Sequence, residues 1–111
     1  MVERDDRRLI IDILARFADT VRKEMKVDKI ILYGSYSNGK PHKDSDIDVA
    51  VVSSDFTGDT IEDRLLLMKC RWGIDLRIEP MPFRPEDFVP DDPFVREIIE
   101  TGIEVSQLPT A

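Results

Sequence analysis

Two apolar runs, Lys29-Ile30-Ile31-Leu32-Tyr33 and Ile47-Asp48-Val49-Ala50-Val51-Val52, frame a polar connector that opens on Gly34-Ser35 and closes on Asp46. Each run has the length and composition of a strand. Asp46 and Asp48 are two residues apart on the second of them, so both carboxylates point to one face. Two hard oxygen ligands at close range suit a divalent cation. Gly34-Ser35 sits where the first strand turns into a short helix or tight loop. Exposed backbone N–H groups there, with a small hydroxyl, suit a phosphate. A phosphate cradle beside a pair of metal-binding carboxylates implies a triphosphate site.

Ten residues separate Ser35 from Asp46. With that spacing, Gly34-Ser35 and Asp46-Ile47-Asp48 resemble the signature of the nucleotidyltransferase superfamily of DNA polymerase beta. More specifically, the chain resembles the minimal nucleotidyltransferases, over roughly residues 4 to 105. The resemblance implies an α/β nucleotidyltransferase fold, a mixed sheet with helices packed against it. It also implies transfer of AMP from ATP to a hydroxyl, with Asp46 and Asp48 binding the nucleotide-bound Mg²⁺. Asp75 would share a second Mg²⁺ and act as base toward the acceptor, while Gly34 and Ser35 would hold the leaving pyrophosphate. Minimal members are commonly paired with small helical HEPN-domain toxins, so the implied role is that of an antitoxin that adenylylates a tyrosine of its partner. Two alternatives stay open: an antitoxin acting by contact alone, and a small-molecule nucleotidyltransferase like the aminoglycoside-modifying enzymes.

At 111 residues, the chain is expected to form one domain spanning 1–111 with a single modest core. Its 41% hydrophobic and 35% charged residues are ordinary for a globular protein. No apolar stretch approaches the ~20 residues of a membrane helix, and Met1-Val2-Glu3-Arg4-Asp5-Asp6 is no signal peptide. A single cysteine, Cys70, excludes an intramolecular disulfide, and the cytoplasm is the expected compartment. The net charge of −7, without a Lys/Arg stripe, argues against direct nucleic-acid binding. Self-association remains an option.

Leu9, Ile10, Ile13, Leu14, Phe17, Val21 and Met25 recur at helical spacing, predicting a first helix over about 5–25. Strands are expected at about 29–33 and 46–53. Thr60 and Asp63 resemble a capping box, opening a second helix whose apolar positions are Ile61, Leu65, Met68 and Trp72. Gly73 ends it. Ile74 through Glu79 alternates as a third strand with Asp75, Arg77 and Glu79 on its polar face. The prolines at 80, 82, 85 and 90 predict an irregular segment. Asp92-Pro93 starts a last helix carrying Phe94 and Ile98 inward, and Ile103-Glu104-Val105 suggests a closing strand.

Two look-alike motifs fail. Gly34 through Lys40 fits the start of a P-loop, but Pro41 stands where that motif needs Ser or Thr. Asp44, Asp46 and Asp48 mimic half of a calcium-binding loop, yet Val49 replaces its glycine and Asp55 its final glutamate. Ser35 also suits a helix N-cap, a reading that coexists with phosphate binding. Tyr33 and Tyr36 flank the turn and could stack on a base, but a core tyrosine at the sheet edge is the favoured reading. Arg77 suits either a phosphate or its neighbour Asp75.

Overall fold

The computed structural model describes residues 2–34 and 46–107. Helix α1 (Val2–Glu24) leads into strand β1 (Lys29–Tyr33); β2 (Ile47–Val52) follows the connector, then helix α2 (Thr60–Arg71). Strand β3 (Ile78–Phe83), helix α3 (Pro93–Thr101) and the short strand β4 (Ile103–Glu104) complete the chain. The four strands form one mixed sheet in the order β3-β2-β1-β4, with β3 parallel to β2 and the other pairs antiparallel. The expected α/β class and mixed sheet are what is found.

Strand parity divides the sheet into two faces. Ile30, Leu32, Ile47, Val49, Val51 and Ile78 turn to one side and pack with α1 and with Leu67 and Cys70 of α2. Helix α1 supplies Ile10, Ile13, Leu14, Phe17 and Val21, all buried, at the 3–4-residue steps of one helical face. Leu9, expected inward, falls off that face and is exposed. On the opposite side Ile31, Ala50 and Ile98 form a smaller cluster with Tyr33, Phe83 and Phe88. Helix α3 therefore covers only part of that face, and the uncovered end is where the acidic residues lie.

Four local expectations change. The N-cap of α2 is Asp59, whose carboxylate accepts from the N–H groups of Ile61 and Glu62. Asp63 is instead buried, accepting from Thr57 N at 2.9 Å, Thr57 Oγ1 at 2.9 Å and Gly58 N at 3.0 Å. Helix α2 buries Asp63, Leu67 and Cys70, which leaves Ile61, Leu65 and Trp72 of its expected core stripe exposed and Met68 half-buried. The third strand starts four residues later than its alternation suggests and runs through Pro80 and Pro82. Both prolines are harmless there. Arg77 and Phe83 direct their carbonyls to β2, at Ile47 N and Ser53 N, so the residues at 80 and 82 aim their missing N–H groups at the open edge. In α3, Asp92 caps through Phe94 N at 2.9 Å; Val95 and Ile98 are buried, whereas Phe94, expected inward, is exposed.

Candidate active site

A single row crosses three strands. Tyr33 of β1 stands opposite Asp48 of β2, which stands opposite Glu79 of β3. Side chains at matching register positions share a face, and this row lies on the side partly covered by α3. Asp46 immediately precedes β2 and is exposed. Burial, then the nearby Asp46 and Glu79 carboxylates, push the Asp48 carboxyl above its ordinary value. Tyr33 is pushed up to about 12, by burial first and then by Asp48. Its ring packs edge-on to Phe94 with centroids 5.8 Å apart, so its role here is packing at the edge of the acidic row.

Gly34 adjoins Asp48. Its φ of +77° lies in the left-handed region, and a Cβ built there would collide with Asp48 Oδ2 while standing 3.3 Å from its Cγ. The turn after β1 is thus glycine for two reasons: its backbone conformation, and the carboxylate lying against it. Ser35 lies outside the described residues, as do Tyr36, Lys40, His42 and Lys43.

Glu79 closes the row toward α2. Arg64 Nη2 reaches Glu79 Oε2 at 2.8 Å, and Arg71 Nη1 stands 4.0 Å from the other oxygen. Arg71 also donates to the carbonyls of Leu76 and Ile78, at 3.0 and 2.7 Å, which fastens the start of β3 to the helix. The Nε atoms of both arginines are buried without an acceptor among the described residues.

The structure does not bring Asp75 to this row. It lies in the turn before β3, where its carboxylate accepts from Arg77 N at 2.8 Å, Arg77 Nε at 3.1 Å and Arg77 Nη2 at 3.0 Å. That partnership, the hydrogen bond to the Arg77 side chain foremost, holds the Asp75 carboxyl below its ordinary value. The position beside Asp48 belongs to Glu79. Sequence alternation over 74–79 placed Asp75 and Glu79 on one face but left the pairing register undetermined. Pro80 and Pro82 fit a strand whose open edge they face, which marks β3 as an edge strand but sets neither its register nor which acid stands beside Asp48.

The donor chemistry suits a divalent cation: hard carboxylate oxygens crowded at one end of a sheet, with Asp48 raised in pKa by its acidic neighbours. As their side chains stand, no three acidic, cysteine or histidine groups among the described residues enclose an ion. Glu79 is turned to Arg64.

The profile of the nucleotidyltransferase domain family matches residues 14–105. A protein of Methanocaldococcus jannaschii described as a protein adenylyltransferase is 27% identical over 101 residues, which cover 86% of this chain and 98% of that protein. Among solved structures, a nucleotidyltransferase of Sulfolobus solfataricus superposes with a TM-score of 0.64 at 14% identity, covering 89% of this chain and 82% of its own. A toxin–antitoxin complex with AMP-PNP gives a TM-score of 0.57 at 22% identity, covering 82% of this chain and 70% of that one. A mutant of the toxin–antitoxin pair MntA–HpeT gives 0.57 at 21%, covering 79% and 68%. At these identities the structural likenesses concern the fold.

Proposed function

The chain belongs to the nucleotidyltransferase domain family, and from that premise we propose that it transfers AMP from ATP to a hydroxyl of a protein partner, as the antitoxin of a toxin–antitoxin pair. The observation that carries the proposal is the Asp48–Glu79 row with Gly34 against it, a set of acidic oxygens at the turn after β1. Asp46 and Asp48 would hold Mg²⁺, with Glu79 in the third position, which the family resemblance gives to Asp75. The ion, when bound, neutralises charge on the triphosphate and on the leaving pyrophosphate.

The residues of the chain contribute positioning and electrostatics. Gly34 and Ser35 offer backbone N–H groups to phosphate oxygens. The acceptor hydroxyl oxygen attacks the α-phosphorus, giving up its proton to a carboxylate of the acidic row or to water, as the bond from the α-phosphorus to the α–β bridging oxygen breaks and pyrophosphate leaves. Arg64 and Arg71 hold Glu79 at the β3 edge and keep the net charge of the row from accumulating.

A protein acceptor is supported by the description of the M. jannaschii relative, with which the match spans 98% of that protein's length. An antitoxin role is supported by the two toxin–antitoxin complexes among the structural neighbours. The resemblance to minimal nucleotidyltransferases points to a HEPN-domain protein as partner. The net charge of −7 favours encounter with a basic, RNA-cleaving partner, through steering more than affinity. The test is co-purification with a HEPN protein encoded beside this chain, followed by intact-mass analysis after incubation with ATP and Mg²⁺. The partner's mass should rise by AMP units, and the rise should vanish with Asp48→Asn or with chelator. A partner that binds but stays unmodified would instead establish an antitoxin acting by contact alone.

A further inference from the structure

Helix α2 carries its apolar stripe on the wrong side for a core. Ile61, Leu65, Met68 and Trp72 recur at steps of four, three and four residues, one face of a helix. Yet Ile61 is 75% exposed, Leu65 57% and Trp72 77%, and Leu76 just beyond the helix is 62% exposed. The opposite face, with Asp63, Leu67 and Cys70, is the one packed on the sheet. Fractional exposures of this size on large apolar side chains leave roughly 500–600 Å² of apolar surface in water, at the upper end of the largest patch on a typical monomer.

The geometry points to a second copy of this chain as the occupant, with two α2 helices packed antiparallel across a two-fold axis. Area is the first argument. Full cover of both stripes removes at most roughly 1,000–1,200 Å² in total from water, which reaches the ~1,000 Å² expected of a specific interface. Charge is the second. Glu62 and Lys69 are both exposed and seven residues apart, so they lie along the same flank of the stripe. A two-fold axis perpendicular to the plane of two antiparallel helices keeps that flank on the same side while reversing its direction. Glu62 of one copy then faces Lys69 of the other, twice over, and the opposed helix dipoles add to the match. On the other flank, Arg64 and Arg71 are turned to Glu79 and to the carbonyls of Leu76 and Ile78 within their own chain, so they do not meet across the axis as free like charges. This pairing places the second copy behind the helix that holds Glu79, leaving the acidic row open.

Sedimentation velocity from low to high micromolar concentration tests the proposal. Wild-type protein should pass from the 12.8 kDa chain mass to twice that value. Leu65→Glu should stay monomeric with an unchanged far-UV circular dichroism spectrum, because Leu65 is exposed and lies outside the core cluster. Glu62→Lys alone and Lys69→Glu alone should each weaken dimerisation, by roughly twofold to thirtyfold, since symmetry doubles each surface-pair contribution. The double variant Glu62→Lys/Lys69→Glu should restore it. A wild-type chain that stays monomeric throughout, or a double variant no better than the singles, would overturn the pairing and leave the stripe to a different protein.

Discussion

Gly34→Ala and Gly73→Ala make a controlled pair. Both glycines have left-handed backbones, with φ of +77° and +83°. An alanine in that region costs ~1–2 kcal/mol. Each variant should therefore lose stability by that amount, lowering the unfolding midpoint by several degrees, at roughly 4–8 °C per kcal/mol for a chain of about this size. The surroundings separate them. A Cβ at Gly73 meets nothing within 4 Å, whereas one at Gly34 collides with Asp48 Oδ2 and stands 3.3 Å from Cγ. Restoring ordinary contact requires the carboxylate to withdraw by about 1 Å, and a misplacement of that size costs up to ~10²-fold in rate. That equals ~2.7 kcal/mol in the transition state. Single-turnover transfer from labelled ATP, measured beside urea unfolding, reads both quantities. Gly34→Ala should lose roughly 10²-fold in rate and Gly73→Ala less than about threefold, at similar losses of stability. Equal rates for the two variants would refute the placement of the Asp48 carboxylate in the reacting site.

Asp48 binds a proton more tightly in the folded chain than an ordinary carboxyl does. Just above pH 3.8 the native state thus holds a proton the unfolded state has lost, and stability falls as pH rises through the folded value. In metal-free protein, Asp48→Asn should therefore be more stable than wild type at neutral pH, by thermal melts in chelator. Asp75 has the opposite sign: Arg77 lowers its carboxyl, so its contribution is present above pH 3.8 and disappears as pH falls through the depressed value. Asp75→Asn should lose stability at neutral pH and converge with wild type in acid. Asp63→Ala leaves the buried turn at Thr57 and Gly58 without its acceptor, and should cost ~2–3 kcal/mol by denaturant unfolding.

The signature pair was legible because its residues are local. Gly34 and Asp48 sit at the facing ends of two antiparallel strands, and the apolar runs on both sides of the connector marked those strands, though not their pairing. Which acid stands beside Asp48 was harder to read, because it depends on register between β2 and β3, a long-range property that alternation within one strand does not encode. The turn residues Asp75 and Arg77 satisfy each other through a local carboxylate–guanidinium contact, which removes Asp75 from the sheet. Helix α2 misled for a different reason. Its most regular apolar period marks the exposed face, and its buried face includes a carboxylate, Asp63, which serves the preceding turn rather than the core. Periodicity reports that a helix has an apolar face; it does not report which partner that face meets.

The most direct test of the site compares Glu79→Gln with Asp75→Asn in AMP transfer under identical Mg²⁺ and ATP. Both substitutions keep the side-chain shape and remove a charge. Only Glu79 stands beside Asp48 in the strand register, while Asp75 is held by Arg77. Glu79→Gln should reduce transfer by ~10²-fold or more, the scale of loss when a charge-stabilising group leaves an active site, and Asp75→Asn should stay within about threefold of wild type. The reverse pattern, with Asp75→Asn inactive and Glu79→Gln active, would contradict the row of acids that the sheet assembles.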